Sequence, residues 1–330
     1  MNYQPPYTIT PEILNRVAAI SEAIGRLTLL IDQARALRLR RINRIRTIQG
    51  SLAIEGNTLS EAQITALLEG KRVIAPPREV REVKNALAAY DRFDTWKPEM
   101  EKDLLEAHQI LMSGLIDEAG HYRRGGVGVM ASQGVIHLAP PADRVSWLMA
   151  DLFGWLAATD AHPLIASSVF HYEFEFIHPF ADGNGRMGRL WQSLILARWN
   201  PLFAAIPVES LIFEHQAEYY QALRESTQRT DSAPFIAFML RMILDAVTTA
   251  TPEVTPEVTP EVRLVSVLAG EMTRLQLKEA LGLKDDEHFR KGYLLPALEA
   301  GWIEMTLPDK PRSSRQKYRL TDKGRQVMFR

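Results

Sequence analysis

Three consecutive Thr-Pro-Glu-Val repeats occupy residues 251–262 and divide this sequence into two parts. A proline at every fourth position removes backbone donors and clashes with the preceding helical turn, so the repeats cannot continue a helix. Proline-rich segments of this kind favour an extended spacer. The sequence therefore predicts two separately folded units, joined by a linker at 248–262.

Length, charge and cysteine content narrow the class of protein. A chain of 330 residues is long enough for two or three domains. Its net charge of -1 gives no overall field toward nucleic acid or membrane. The absence of cysteine excludes disulfides, thiolate metal sites and cysteine nucleophiles. Because no segment has the pattern of a signal peptide or a membrane-spanning helix, we expect a cytoplasmic protein without a membrane partner.

Apolar residues recur at helical spacing through most of the first 247 residues, which predicts a mainly α fold. The basic run Arg35 to Arg46 is interpreted as the solvated side of a helix, since apolar residues interrupt it; the alternative is an arm for nucleic acid. The segment His171 to Phe176 alternates polar and apolar residues as a strand does. Helix is still predicted there, because no turn signal precedes it. The i,i+4 pair within it, His171 and Glu175, is predicted to form a polar helix face.

One part of this helical region has a different pattern. Two short apolar stretches, Val127 to Met130 and Val135 to Leu138, are separated by Ala-Ser-Gln-Gly. Short apolar runs around a glycine-containing turn are typical of a β-hairpin.

Residues 178–189 concentrate chemistry-bearing side chains in twelve positions, His-Pro-Phe-Ala-Asp-Gly-Asn-Gly-Arg-Met-Gly-Arg. A glycine-rich turn that opens a helix presents backbone N–H groups to an anion. Arg186 and Arg189 lie three residues apart, so both guanidinium groups reach one side of that helix and can clamp a polyphosphate. Asp182 offers the hard oxygen that Mg2+ prefers, and His178 can take a proton near neutral pH.

These residues resemble the signature of the Fic family, H-P-F-x-[D/E]-G-N-G-R-x-x-R, at every specified position. The resemblance implies an all-helical core at 99–247, preceded by an N-terminal helical region at 1–98. It also implies transfer of AMP from ATP to a Ser, Thr or Tyr hydroxyl of a target protein, with release of pyrophosphate. His178 would be the base for the incoming hydroxyl, and Asp182 would hold Mg2+.

The same resemblance assigns the remaining signature residues. Asn184, with the amides of Gly183 and Gly185, would hold the α-phosphate, while Arg186 and Arg189 would bind the β- and γ-phosphates. Phe180 would anchor the loop in the core.

Two further segments have counterparts in the family. The hairpin would be the flap that aligns an extended target by strand addition; its residues are Val127, Gly128, Val129, Val135, Ile136, His137 and Leu138. Tyr219 and Tyr220 resemble the tyrosines of the adenosine pocket, and core aromatic residues are the alternative. Thr227 stands where eukaryotic relatives have an asparagine near the nucleoside.

Upstream, Ser51, Glu55 and Gly56 match the inhibitory motif [S/T]-x-x-x-E-[G/N] of self-inhibited Fic proteins. The bare alternative is a helix end with glycine at its C-terminal cap. In the self-inhibited class the glutamate pairs with the second signature arginine, which implies that Glu55 pairs with Arg189 and obstructs the γ-phosphate. In some relatives the same glutamate supports removal of AMP.

Residues 263–330 carry a net charge of +5, against -6 for the rest of the chain. Their pattern of three helices followed by two strands resembles a winged helix-turn-helix domain. The third helix and the loop with Lys310, Arg312, Arg315 and Lys317 would supply phosphate contacts to DNA. Acidic residues at the start of that helix, Asp285 to Glu287, equally favour a protein-binding or dimerising domain.

The sequence therefore predicts a self-inhibited protein adenylyltransferase that uses ATP and Mg2+. Alternatives are a DNA-binding regulator whose Fic core senses nucleotide, and removal of AMP at the same site. Self-modification and a homodimer are further expectations, the latter from the family alone.

Overall fold

The computed structural model describes the backbone of residues 3–30, 33–126, 128–131, 134–250, 264–265, 267–268, 270–283, 285–310, 313 and 315–324. It also describes their side chains, except those of residues 29–42, 127–138 and 250. Contacts divide the chain into two compact units, Met1–Thr251 and Pro252–Arg330. The repeats at 251–262 and the predicted loop residue Arg312 lie outside the described residues.

The described part of the first unit is helical apart from one hairpin. Its helices are α1 (Pro11–Leu30), α2 (Gln33–Ile54), α3 (Glu61–Leu68), α4 (Pro77–Arg92), α5 (Glu101–Leu111), α6 (Ala142–Ala158), α7 (Pro163–Ile177), α8 (Asn184–Trp199), α9 (Val208–Glu214), α10 (Gln216–Arg229) and α11 (Ala233–Ala250). Short 3-10 turns follow α4 and α8, at Phe93–Thr95 and Pro201–Ala205. The mainly α prediction is confirmed, and 171–176 is helical as predicted.

Helix α7 lies at the centre of this unit, packed against α6, α8 and α11. Side chains on all of its faces are buried, including His171, Glu173 and Glu175. The polar face predicted for His171 and Glu175 is therefore an interior face. Surrounding helices, which the sequence of α7 alone does not show, cause this burial.

The helix α2 packs closely on α9. A Cβ atom at Gly50 would lie 2.7 Å from the backbone of Glu209, so only glycine permits this approach. The close packing brings the C-terminal end of α2 over α8.

The predicted hairpin is present as antiparallel strands β1 (Gly128–Ala131) and β2 (Gly134–Leu138), with an irregularity between Val129 and Met130. Val127 lies outside the described residues, as do the side chains of both strands. The strand β2 lies against α10.

The second unit has its own core, which includes Leu277, Phe289 and Ile303. Its described elements are β3 (Met272–Thr273), α12 (Arg274–Ala280), α13 (Asp286–Phe289), a π-helical turn (Arg290–Leu294), α14 (Leu295–Glu299), β4 (Ile303–Met305) and β5 (Lys317–Leu320). The antiparallel sheet has the order β3-β5-β4. Two details differ from prediction: β3 was not expected, and Lys317 belongs to a strand because it pairs with Thr273.

Helix α11 continues to Ala250, three residues into the predicted linker. The predicted regions 1–98 and 99–247 lie within one compact unit, and their boundary stays a prediction. Among the described residues, no helix combines the length and apolar character needed to cross a membrane.

Candidate active site

The signature loop connects the end of α7 to the start of α8. His178 ends α7 in a left-handed conformation with φ of 51°, and its N–H donates to Phe174 O at 2.9 Å. Gly183 precedes α8 with φ of 85°. A residue other than glycine in this region is strained by about 1–3 kcal/mol and persists only where its surroundings hold it. His178 is held in this way.

Arg123 holds the backbone around His178. Its Nε donates to His178 O at 2.8 Å, and its terminal nitrogens donate to the carbonyls of Ile177 (3.2 Å), Pro140 (2.6 Å) and Gly125 (2.9 Å). Gly125 and Pro140 flank the hairpin, so one buried guanidinium joins its base to the signature loop. Sequence reasoning missed this residue, which precedes His178 by 55 positions.

A second contact that the sequence did not reveal lies beneath the loop. The His108 ring stacks on Phe180 with centroids 3.6 Å apart. Its Nδ1 accepts from Gly120 N at 2.9 Å, which leaves Nε2–H to donate to Asp182 O at 3.0 Å. Burial lowers the pKa of His108 to about 4, so the ring is neutral. Phe180 is fully buried, in agreement with its predicted role as anchor.

Asn184 also organises the loop. Its side-chain amide donates to Phe180 O and accepts from Phe180 N, both at 2.9 Å. The Gly183 N–H donates to Asp182 Oδ1 at 2.6 Å. Two groups predicted to hold the α-phosphate thus make contacts within the loop, and their binding role stays a prediction.

Asp182 and Arg186 form the outer part of the site. Arg186 is buried and lies 3.2 Å from Asp182 Oδ1 and 3.7 Å from Glu82 Oε1. Its Nε has no hydrogen-bond partner among the described residues. Asp182 is 41% exposed, and its Oδ2 lies 3.2 Å from Arg78. A half-exposed carboxylate could supply one oxygen ligand to Mg2+, whose other positions substrate phosphates and water usually fill, and the buried guanidinium could bind phosphate oxygens.

Arg189 lies deeper and is more fully bonded. Its guanidinium donates to Ser51 Oγ (3.1 Å), Ser51 O (3.0 Å) and Glu55 Oε1 (2.7 Å). Burial alone lowers the pKa of Arg189, but the adjacent carboxylate of Glu55 raises it above its usual range. The structure thus brings the end of α2 onto the second signature arginine, although 134 residues separate Glu55 from Arg189.

Gly185 and Gly56 both lie near this contact. A Cβ atom on Gly185 would clash with Glu55 Oε1, so a larger residue there would displace this carboxylate from its contact with Arg189. Gly56 follows the end of α2 with φ of 92°, which favours glycine. The segment predicted to be inhibitory is therefore a helix end that also hydrogen-bonds to Arg189, and its inhibitory role stays a prediction.

Below His178 lies a buried polar cluster. Glu175 Oε2 is 3.7 Å from His178 Nδ1, and Glu175 Oε1 is 3.9 Å from His171 Nε2. Burial raises the pKa of Glu175 to about 8, with Arg189 acting in the opposite direction. His178 itself is 19% exposed, so its ring reaches the surface of this cluster.

Tyr219 and Tyr220 lie on α10 and differ in burial. Tyr219 is buried among aromatic rings that include Phe235, and its hydroxyl lies 3.2 Å from His171 Nε2. Tyr220 is half-buried. Thr227 donates to Leu223 O and contacts the Tyr172 hydroxyl. A role of these side chains in nucleoside binding stays a prediction.

Two family models match this chain, one in each of its two compact units. A family model described as "Fic/DOC family" matches residues 96–196. A second, described as "Filamentation induced by cAMP protein Fic-like, C-terminal domain", matches residues 260–321.

Solved and curated relatives cover different shares of the chain. The crystal structure of a Fic family protein from Desulfovibrio desulfuricans G20 is 54% identical, with a TM-score of 0.76 over 98% of this chain and 99% of that one. Fic-1 from C. elegans is 25% identical, with a TM-score of 0.62 over 72% of this chain and 71% of that one. "Protein adenylyltransferase Fic" of Culex quinquefasciatus is 32% identical over 212 residues, which are 59% of this chain and 39% of that protein. The chain thus spans about two fifths of that relative's length.

Proposed function

Because the chain belongs to the Fic family, we propose that it is a protein adenylyltransferase that moves AMP from ATP to a Ser, Thr or Tyr hydroxyl of a target protein. The observation that carries this proposal is one short segment, the loop after α7 and the first turns of α8, that contains a partly exposed imidazole and two buried guanidinium groups. The name of the Culex relative supports the same reaction.

Each of the signature residues has a separate role in the proposed reaction. His178 takes the proton of the attacking hydroxyl, which forms a bond to the α-phosphorus. The bond between that phosphorus and the bridging oxygen breaks, and pyrophosphate leaves with the electron pair. Arg186 and Arg189 neutralise the charge that builds up on the departing phosphates. Phosphoryl chemistry needs little beyond such alignment and charge stabilisation.

Asp182 is suited to hold Mg2+. Its carboxylate is partly exposed, and one carboxylate together with substrate phosphates and water is a common magnesium environment. The ion, when bound, would neutralise phosphate charge. The ion pair with Arg78 must then open, because Asp182 Oδ2 faces that guanidinium at 3.2 Å.

We further propose that Glu55 keeps this activity low. Arg189 is already bonded to Ser51 and Glu55, so a phosphate must compete with a carboxylate for the same guanidinium. Glu55 is 35% exposed, which allows it to leave without disturbing the core.

The test uses ATP labelled on the α-phosphate or on the γ-phosphate, with Mg2+ and a lysate as a source of targets. The Glu55→Gly chain is expected to place the α-label, and not the γ-label, covalently on protein. Adding His178→Ala to that chain should remove the label, since a general base contributes about 10²- to 10⁴-fold. Transfer of the γ-label, or transfer that persists without His178, would contradict the proposal. Label on the purified chain alone would identify self-modification.

For the second unit we propose a winged-helix architecture, supported by its helices and by the β3-β5-β4 sheet. Asp286, one of the acidic residues at the start of the predicted third helix, accepts a bond of 2.7 Å from Lys278, so this end of the helix presents a carboxylate where a DNA phosphate would have to approach. We propose that this unit contacts protein instead of DNA. Fluorescence anisotropy with mixed-sequence duplex DNA should show no affinity that falls with salt, the signature of phosphate contacts. Salt-dependent binding that is lost on replacing Lys310 and Arg315 would contradict this assignment.

A further inference from the structure

A buried carboxyl group lies directly beneath His178 with few partners of its own. Glu175 is only 5% exposed, and its Oε1 has no hydrogen-bond partner among the described residues. A buried polar atom without a partner costs about 1–3 kcal/mol. An apolar side chain of similar size would avoid this cost, so the carboxyl group calls for an explanation beyond packing.

The neighbouring His171 cannot supply the missing donor. Its Nδ1 lies 2.5 Å from Gln192 Oε1, and therefore carries the hydrogen that this acceptor needs. Its Nε2 then accepts from the Tyr219 hydroxyl at 3.2 Å. Burial lowers the pKa of His171 to about 3, so the ring gains no second proton near neutral pH. The 3.9 Å separation between this Nε2 and Glu175 Oε1 is consequently not a hydrogen bond.

The second carboxyl oxygen points toward the proposed base. Glu175 Oε2 lies 3.7 Å from His178 Nδ1, one helical turn further along α7. Hydrogen bonds of catalytic groups are often long before substrate binds and shorten in the complex. Helix α8 packs closely on this carboxyl group, because a Cβ atom on Gly188 would lie only 2.9 Å from Glu175 Oε1. This packing restricts the position of the Glu175 side chain.

We propose that Glu175 is a positioning residue for His178, whose Nδ1–H it accepts so that Nε2 faces the incoming hydroxyl. This proposal rests on the proposed transferase function. In the reaction, the proton of the target hydroxyl goes to Nε2, and the Nδ1–H remains hydrogen-bonded to Glu175. A carboxyl group that fixes the imidazole tautomer in this way is the third member of many nucleophile–base–carboxylate sites.

Other charged groups around Glu175 fit this role. Burial raises the pKa of Glu175 to about 8, Arg189 acts in the opposite direction, and Glu55 raises the pKa further. A neutral carboxyl group still accepts a hydrogen bond through its carbonyl oxygen, so this pKa is compatible with the role. Burial is the main reason why the pKa values of Tyr219 and Tyr220 on α10 are raised, and the charge of Glu175 adds to this shift. Arg189 thus interacts with both glutamates, so a nucleotide that displaces Glu55 would also change the charge environment of Glu175.

The experiment compares two buried glutamates of α7. Glu175→Leu removes the acceptor, and Glu173→Leu is the matched control. Glu173 is equally buried on the same helix, but its Oε2 accepts from the Tyr3 hydroxyl at 2.8 Å. Both changes are made in the Glu55→Gly chain. We expect Glu175→Leu to lower kcat for AMP transfer by about tenfold or more, within the 10²- to 10⁴-fold that a general base contributes. KM for ATP should stay within twofold, and Glu173→Leu should leave kcat unchanged.

A spectroscopic readout separates this proposal from the transferase function itself. Nitrogen-15 NMR of the His178 imidazole reports its tautomer, and the signal is assigned by its loss in His178→Ala. We expect the Nδ1–H form with Glu175 present and a mixture of tautomers in Glu175→Leu. An unchanged tautomer together with unchanged kcat would overturn the proposal, as would equal losses of kcat in Glu173→Leu and Glu175→Leu.

If the Glu55→Gly chain transfers no AMP, the proposed function fails, and the tautomer measurement still decides the role of Glu175. If Glu175→Leu does not fold, Glu175→Met repeats both measurements with a more adaptable side chain.

Discussion

Arg186 and Arg189 lie three residues apart on α8, are both buried, and have very different partners. Arg189 donates three hydrogen bonds to the end of α2, including a 2.7 Å bond to Glu55. Arg186 faces the carboxylates of Asp182 and Glu82 at 3.2 and 3.7 Å, and its Nε has no hydrogen-bond partner among the described residues.

The difference arises from which helix approaches each arginine. The close packing of α2 on α9 at Gly50 brings Ser51 and Glu55 onto Arg189. Near Arg186, the partners come from α4 and from the loop itself, at longer distances. The two signature arginines thus differ in how firmly carboxylates hold them: Glu55 binds Arg189 at 2.7 Å, whereas Asp182 and Glu82 lie 3.2 and 3.7 Å from Arg186. Changes near Arg186 and changes near Arg189 are therefore expected to have different effects.

Arg186 offers the largest expected effect. In the Glu55→Gly chain, Arg186→Ala should lower kcat for AMP transfer by about 10²- to 10³-fold, the usual loss when one preorganised donor to developing charge is removed. Arg198→Ala is the control on the same helix, because Arg198 binds the backbone carbonyls of Asp94 and Trp96. Loss of activity in both variants would mean that α8, and not the phosphate clamp, was damaged.

The close packing of Gly188 against the His171 ring, next to Arg189, can be tested without changing any charge. A Cβ atom at Gly188 would lie 2.7 Å from the His171 ring, so Gly188→Ala should destabilise the fold by about 1–3 kcal/mol. Gly154→Ala, in a helical position with nothing within 4 Å, should instead stabilise it by about 0.5–1 kcal/mol. Urea unfolding measures both values. Equal changes in the two variants would contradict the close packing.

The part of the site around Arg186 and Asp182 depends on a neutral His108, whose ring bonds to the Asp182 carbonyl. Burial holds the pKa of His108 near 4, below its ordinary value of 6.5, so the unfolded chain takes up this proton first as pH falls. Stability is then lost between about pH 6.5 and pH 4, by up to about 1 kcal/mol per pH unit. His108→Gln should flatten this dependence in urea unfolding, while His121→Gln, at an exposed position, should not. Identical slopes in His108→Gln and wild type would refute the assignment.

Ser51 gives the smallest expected effect. Ser51→Ala removes one hydrogen bond from Arg189 but leaves the Ser51 carbonyl and Glu55 in place. A net hydrogen bond is worth about 0.5–1.5 kcal/mol, so labelling of protein by ATP should rise about two- to tenfold. Ser21→Ala, which affects a hydroxyl bonded within α1, should change nothing. A rise larger than that of Glu55→Gly would assign the brake to Ser51 instead.

Local pattern was enough to predict the loop, its flanking helices, the hairpin and the helical state of 171–176. The contact between Glu55 and Arg189 followed from family resemblance, since spacing alone does not bring positions 134 residues apart together. Arg123 and His108 were missed because each acts through backbone carbonyls of a distant loop, and a carbonyl leaves no pattern in the sequence. The available signal was weak: the pair Arg123-Arg124 lies within the glycine-rich segment 120–126, and nothing in the sequence distinguishes one arginine from the other.

The central claim is that the carboxylate on Arg189, and not the one near Arg186, restrains the enzyme. The direct measurement compares α-phosphate labelling of protein by the wild-type, Glu55→Gln and Glu82→Gln chains under identical conditions. The account predicts that Glu55→Gln raises the rate by about tenfold or more, equivalent to about 1.4 kcal/mol, and that Glu82→Gln changes it less than twofold. Equal rates in Glu55→Gln and wild type, or an equal rise in Glu82→Gln, would contradict it.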